Sequence, residues 1–301
     1  MEFGHVYDSI GDIDFSLPPD SPGTKRTLAA ANRGDKLQVY IGAPKWGEKG
    51  WIGKIYPKKA PDNALLPFYS KTFNTVEFGP TFYNIYSADE LTRWVQQVAD
   101  SPDFKFCPKF PQNITHIRRL ANAEEQTAKF YQSLSGFGNH LGPLLLQLGD
   151  NFSPKSFPQL KAYLGALPPS IKVSVEMRHK DWFAIESNRN ELFQLLYDLN
   201  IGTVISDTSG RRDVVHMELT TNEAFIRFVG NDLAPSDYTR IDEWVERLKD
   251  WKAKGLKTVW FFMHQNNEKF VPKACDYLIK QLNEKLGTAI ARPIFLNGSL
   301  F

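Results

Sequence analysis

Ser174-Val-Glu-Met-Arg-His-Lys-Asp-Trp182 begins as a buried strand and ends as a loop crowded with polar groups. Side chains on a strand alternate between faces, so Val173 and Val175 share one face while Ser174, Glu176 and Arg178 share the other. Glu176 and Arg178 then point the same way at the strand's C-terminal end, and His179, Asp181 and Trp182 follow at once. That mixture is too polar for a core and too varied for an ordinary turn. The rest of the chain decides whether the cluster stands alone.

Outward from this stretch, strand and helix signals alternate with a regular beat. Upstream lie the apolar strand Leu37–Gly42, a helical pattern over Asp62–Phe73, the strand Thr75–Phe78, a strand over Phe104–Cys107, a helix over Glu124–Phe137, the leucine-rich strand Leu144–Leu148 and a helix over Phe157–Leu167. Ser87-Ala-Asp-Glu90 has the form of a capping box, with Leu91, Trp94, Val95 and Val98 as one apolar stripe behind it. Ile171–Glu176 is the fifth strand. Downstream follow the helix Arg189–Leu199, the strands Ile201–Ser206 and Phe225–Val229, an amphipathic helix through Ile241, Trp244, Val245, Leu248 and Trp251, the strand Thr258–Phe262 and a closing helix Cys275–Leu286. Eight strands with intervening helices predict an α/β fold, a (β/α)8 TIM barrel. One unit departs: between Asp207 and Glu223 no helix is legible, and Val214–Leu219 resembles an extra strand. A doubly wound open sheet is the alternative, but its Gly-x-Gly-x-x-Gly fingerprint after the first strand is absent.

Composition narrows the setting. The chain has 301 residues, a formal net charge of +2 and two cysteines, Cys107 and Cys275, which match no metal-ligand spacing. No long apolar run suggests a membrane span, and acids near the N-terminus argue against an export signal, so a reduced, cytoplasmic protein is expected. Near-neutral charge offers no strong nucleic-acid signal. Residues 1–36, with Pro18-Pro19 and Pro22-Gly23, predict an arm outside a single barrel domain of residues 37–301. Its apolar residues Phe3, Val6, Ile10, Ile13, Phe15 and Leu17 suggest that part of it packs on the barrel.

A barrel predicts that functional groups gather at the C-terminal strand ends, where the loops ring one pocket. Polar residues do sit there on every strand: Lys45 and Trp46 after the first; Glu77, then Thr81, Phe82 and Tyr83, on the second; Lys109 and His116 after the third; Gln147 in the fourth; Glu176 and Arg178 at the fifth; Asp207 at the sixth; Arg227 in the seventh; His264 and Asn267 at the eighth. Buried charges are costly unless paired or liganded. A purely structural reading is available for each: Glu176 and Arg178 can satisfy one another, or pair with Arg227 and Glu77. His116 and His179 suit surface loops, Gln147 a hydrogen bond inside the barrel, and Cys107 a buried thiol.

Lys109, Arg178 and Arg227, with Arg118 and Arg119 near, suit a carboxylate or phosphate. Trp46, Trp51, Tyr56, Phe82, Tyr83 and Trp182 bring flat faces to the loops, suited to a base or sugar ring. Together they point to an anionic ligand with a ring, such as a nucleotide or sugar phosphate.

The chain is also identified by its motifs as similar to the YecE-like family, catalogued as domain of unknown function 72. Those motifs are Ile41-Gly42 with Trp46, Trp51-Ile-Gly-Lys-Ile-Tyr-Pro57, Phe73-Asn-Thr-Val-Glu77, Thr81-Phe-Tyr83, Phe104-Lys-Phe106 with Lys109, Ile114-Thr-His116, Leu141-Gly-Pro-Leu-Leu-Leu-Gln-Leu148, Val175-Glu-Met-Arg-His179 with Trp182, Arg227-Phe228 with Gly230, and Asn266-Asn267. The resemblance implies a TIM barrel and no established activity. Ala43-Pro44-Lys45, Gly79-Pro80 and Gly149-Asp150 depart from the family's usual residues around the expected pocket.

The leading functional expectation is an enzyme acting on a phosphorylated or otherwise anionic small molecule. Glu77 and Glu176 would be its acid and base, tuned in opposite directions by cationic neighbours, with Asp207 as a third catalytic candidate. Lys109, Arg178 and Arg227 would hold the anion, and Asp207, Gln147, His264 and Asn267 would orient the rest. Lys45, Trp46, Tyr83, His116, His179 and Trp182 complete the expected ligand-binding set. The sequence requires no cofactor. A metal-dependent barrel, resembling sugar isomerases or phosphodiester-cleaving nucleases and using Glu77, Glu176, Asp207, His179 and His264, is a second expectation. A non-catalytic reader of nucleotides or single strands is a third.

Overall fold

The computed structural model describes residues 3–6, 10–31, 34 and 36–296. Eight parallel strands form its centre: β1 (Gln38–Ala43), β2 (Thr75–Phe78), β3 (Lys105–Pro108), β4 (Leu144–Gln147), β5 (Val173–Glu176), β6 (Gly202–Asp207), β7 (Glu223–Gly230) and β8 (Thr258–Gln265). They lie in the order β3-β2-β1-β8-β7-β6-β5-β4. An open sheet would leave β3 and β4 at opposite edges. Here they meet through single bridges, Phe106 opposite Leu141 and Lys109 opposite Leu145, and the Phe110 amide donates to the Leu145 carbonyl at 2.9 Å. The sheet curls into a nearly closed barrel of the TIM type, and the doubly wound alternative falls.

Ten α-helices among the described residues accompany it: α1 (Pro22–Ala29), α2 (Leu65–Thr72), α3 (Pro80–Tyr83), α4 (Ala88–Gln97), α5 (Glu124–Ser133), α6 (Phe157–Gly165), α7 (Asp181–Ala184), α8 (Glu186–Asp198), α9 (Pro235–Lys254) and α10 (Val271–Leu286). Local chemistry explains their ends. The capping box of α4 forms as expected, with the Glu90 amide donating to Ser87 Oγ at 3.3 Å and the Ser87 amide to Glu90 Oε2 at 2.8 Å. Proline at the first turn opens α9, and Gly255, at φ +120°, closes it. The helix expected over residues 124–137 stops at Ser133 and continues as tighter turns broken at Gly138.

Two cores flank the barrel wall. The larger lies between strands and helices. The smaller fills the lumen with Cys107, Leu145, Val204, Phe225, Trp260 and Phe262, and Tyr40 stacks on Trp260 at 4.1 Å. These residues fix which face of each strand looks inward. Alternation then aims Glu77, Gln147, Glu176, Ser206, Arg227 and His264 into the top of the lumen. Asp207 is one residue out of phase with Val204 and looks outward.

The expected strand over Val214–Leu219 is absent. After a single tight turn at Arg212–Val214, the chain runs irregularly to β7, and its backbone groups bond elsewhere. Thr203 and Thr220 hydroxyls donate to Glu218 and Ile201 carbonyls, at 2.6 Å each. Thr24 and Thr27 of α1 donate to the Met217 and Leu219 carbonyls at 2.7 and 2.8 Å, and the Leu219 amide returns a bond to Thr24 Oγ1. The arm's helix thus covers the unit that lacks one. It reaches α8 through Arg26, whose guanidinium lies 3.8 Å from the Tyr197 ring centre. Asp20, just before it, pairs with Arg247 of α9 at 2.6 Å and accepts from Trp251 Nε1 at 3.0 Å.

No helix among the described residues is long and apolar enough to cross a membrane.

Candidate functional site

At the top of the lumen, one arginine joins two strands' acids. Arg227 on β7 donates from Nε and Nη2 to the two Glu77 oxygens at 2.9 and 2.8 Å, a bidentate pair, and from Nη1 to Glu176 Oε2 at 2.7 Å. Arg178 closes the other Glu176 oxygen from Nε at 2.9 Å. His264 Nε2 stands 3.3 Å from Glu77 Oε2. Glu77, Glu176, Arg227 and His264 are each 5% exposed or less. The internal pairing that the two-residue spacing allowed is therefore present, and it forms one connected chain, His264–Glu77–Arg227–Glu176–Arg178.

The electrostatics revise the expected division of labour. Burial works to raise both carboxylates, but Arg227 first, then His264 for Glu77 and Arg178 for Glu176, hold both below the ordinary range. The two are not tuned in opposite directions. Both are ionised anchors of Arg227, and neither is a proton donor at neutral pH. Asp207 departs further. Its outward carboxylate pairs with Arg212 and with Arg240 of α9, and accepts from Trp244 Nε1 at 2.8 Å. It bolts α9 to the wall and takes no part in the lumen cluster.

Lys109 is different. It follows β3, lies over the Phe82 ring at 4.0 Å and makes no ion pair among the described residues. Burial, with Arg227 next, pushes it down to about 8. His116 stands beside it, with its ring edge-on to Phe82 at 5.1 Å and its Nδ1 2.8 Å from Thr115 Oγ1. Burial and the Lys109 charge lower it too. Gln147 is buried opposite Glu176 in the β4–β5 register. Ser206 Oγ, in register with Arg227, is buried with no hydrogen-bond partner among the described residues.

Most of the other expected ligand groups have partners within the fold. Trp182 is fully buried and donates from Nε1 to the Phe152 carbonyl at 2.7 Å. Trp51 and Tyr56 are likewise buried, with Trp51 Nε1 bonded to the Glu268 carbonyl at 2.9 Å and the Tyr56 hydroxyl to the Trp46 carbonyl at 2.9 Å. Trp46 packs on Phe78 at 5.7 Å. His179 Nδ1 accepts from the Asp181 amide at 3.2 Å in its own loop, and the Asn267 side chain caps the turn at Glu268–Phe270. Lys45 pairs with Glu48 at 2.8 Å. Arg118 and Arg119 bind loop carbonyls. Tyr83, 69% exposed, is left at the rim. Of the residues expected to bind metal, Glu77 and His264 touch, Glu176 is joined through Arg227, and Asp207 and His179 lie in other contacts. Among the described residues no three His, Cys, Asp or Glu gather as metal ligands.

Glu268 was not legible. It follows β8, and its Oε1 lies 4.0 Å from His264 Nδ1, on the side of that ring away from Glu77. Its Oε2 is buried without a hydrogen-bond partner among the described residues, and burial pushes its carboxyl up to about 7. The i, i+4 spacing from His264 is the only trace in the sequence, and it is far too common to single the residue out.

The sequence profile of a family described as "protein of unknown function DUF72" matches residues 40–294. The "UPF0759 protein YecE" of Escherichia coli (strain K12) is 27% identical over 266 residues, which cover 82% of this chain and 94% of that protein. The "UPF0759 protein YunF" of Bacillus subtilis (strain 168) is 29% identical over 157 residues, 48% of this chain and 52% of that one. A crystal structure of a DUF72 family protein from Thermotoga maritima MSB8 matches with a TM-score of 0.60 at 21% identity, covering 83% of this chain and 100% of that chain. One from Enterococcus faecalis V583 matches with a TM-score of 0.62 at 15% identity, covering 85% and 100%. Those structural likenesses carry the barrel and nothing about ligands.

Proposed function

The chain belongs to the DUF72 family, and with no activity attached to that membership we propose, from the geometry of the mouth, that the protein is an enzyme acting on a small anionic molecule docked on Lys109. The observation that carries this reading is the charge balance of the lumen cluster. Glu77 and Glu176 are ionised and fully engaged by Arg227 and Arg178. Lys109 adds a further, half-buried cation that makes no ion pair among the described residues, and burial, then Arg227, lowers its proton affinity in spite of the opposing pull of Glu77 and Glu176. An anion beside it would supply the missing partner, with the Ser206 hydroxyl and His116 as neutral hydrogen-bonding groups. In the reaction, Arg227 is an electrostatic element held rigid by its two glutamates. Proton transfer falls to groups poised near neutrality, Lys109 at about 8 and Glu268 at about 7.

Calorimetric titration with inorganic phosphate and with sulfate tests the docking half. Saturable binding is expected near neutral pH, and Lys109→Met should weaken it by about tenfold or more, the value of one charge-assisted hydrogen bond. Only the protonated amine attracts the anion, so affinity should fall as pH rises through about 8. Binding that is absent, or indifferent to Lys109→Met, overturns the reading.

A further inference from the structure

The arm returns to the mouth. Phe3 lies against two guanidinium groups, with Arg178 4.3 Å and Arg211 5.1 Å from its ring centre. Its neighbour's carbonyl is held as firmly: Gly4 O accepts from Thr208 Oγ1 at 2.8 Å and from the Gly210 amide at 2.7 Å. Two glycines permit this approach. Gly4 has φ +67°, and a Cβ there would run into Thr208. A Cβ on Gly210 would come within 3.0 Å of the Gly4 carbonyl. The receiving groups are themselves fixed. Thr208 is fully buried, Arg178 is tied to Glu176, and Arg211 is braced on Asp213 and on the Arg178 carbonyl at 2.7 Å.

A flat ring faced by arginines, beside a carbonyl oxygen held by two donors, is the pattern by which a protein holds a base-like heterocycle. We infer that Phe3 and Gly4 occupy, in cis, a subsite for the ring of a ring-bearing anion such as a mononucleotide. The leader is then a tethered competitor that must leave before that ligand is fully seated. The inference rests on the proposed anion site in one respect. Arg178 belongs both to the Phe3 clamp and to the chain of ion pairs that runs through Glu176 to Arg227, and the charges of Arg178 and Arg227 both act on Lys109, so ring and anion subsites adjoin. The ring subsite itself stands on the Phe3 contacts.

Three probes separate the two ideas: adenosine as ring alone, inorganic phosphate as anion alone, and adenosine monophosphate as both. Each is titrated against the full chain and against Phe3→Ala, with thermal melts to show that both are folded. A segment docked nine-tenths of the time reduces apparent affinity about tenfold, so Phe3→Ala should bind adenosine and adenosine monophosphate about tenfold more tightly. Phosphate affinity should not change. Adding Arg211→Gln to Phe3→Ala should remove most of the adenosine gain, which distinguishes a ring clamp from simple unblocking of the mouth. If Phe3→Ala leaves adenosine affinity unchanged while phosphate binds, the ring subsite is wrong and the anion site stands. If adenosine gains and phosphate never binds, the ring subsite stands and the anion reading fails.

Discussion

Arg227 satisfies two carboxylates that would otherwise be buried charges, and this makes it the most consequential single residue of the mouth. Removing one partner of such a group costs about 3–5 kcal/mol, because the desolvated charge left behind has no compensation. Arg227→Met is therefore expected to lower stability by that order in urea unfolding at neutral pH. The sign of its pH dependence follows from the carboxylates. Arg227 holds Glu77 and Glu176 below their unfolded values, so its contribution is full above the ordinary carboxylate range and is lost on acidification. The gap between wild type and Arg227→Met should narrow as pH falls from that range toward the lowered values of Glu77 and Glu176. Glu268 carries the opposite sign. Burial raises its carboxyl to about 7, so the folded state pays for ionising it above that pH and not below the ordinary range. Glu268→Gln should stabilise by about 2 kcal/mol at alkaline pH, with the gain vanishing toward acid pH in matched denaturant curves. At this scale the sequence was only partly legible. The two-residue spacing of Glu176 and Arg178 correctly gave a shared face. In Gly202–Asp207 both faces are buried, so no alternation of polarity marks phase, and nothing in the sequence shows that Asp207, a site candidate by its place at the strand end, faces outward.

Among elements, α1 is the one whose role depends most on tertiary context. Alone it is too short to persist, and its stability comes from what it covers. Its Thr24 and Thr27 hydroxyls satisfy the irregular segment after β6, Leu28 is buried, and Asp20 ties it to α9. Asp20→Ala removes the 2.6 Å bond from Arg247 and the 3.0 Å bond from Trp251 together. A loss of about 1–3 kcal/mol is expected, read as a lowered denaturant midpoint at unchanged slope. The apolar residues of the arm were legible as packing residues, and Phe15 and Leu17 do meet the barrel's side chains. Ile10 and Ile13 add a tight turn, and Val6 lies beside Gly210. The strand-like pattern over Val214–Leu219 forms no strand, for a simple reason. Its alternation is that of an extended segment, but its carbonyls are taken by threonine hydroxyls and leave no ladder to a neighbouring strand.

For the molecule as a whole, the barrel wall is uneven. β7 and β8 pair over eight register positions, whereas β3 and β4 meet through isolated bridges. Native-state hydrogen exchange should therefore show the amides of Gly142 and Phe110 opening well before those in the middle of β8, through local opening at that seam. Uniform protection around the wall would contradict this. The seam also carries Lys109, whose backbone bridges to Leu145, so local breathing there moves the proposed anion site. The sequence by itself determined the count and order of strands and helices, and with them the barrel, since hydrophobic period and capping chemistry are local signals. It also determined that polar groups would collect at one end of the strands, since strand direction alone places them there. Only the tertiary structure decided which of those groups meet: that Arg227 binds Glu77 and Glu176, that Asp207 turns away to α9, that Lys109 makes no ion pair among the described residues and that Phe3 lies on Arg178. Those outcomes are set by inward or outward phase and by closure of the wall across distant strands. Such contacts arise between residues far apart in the chain, and neither periodicity nor spacing records them.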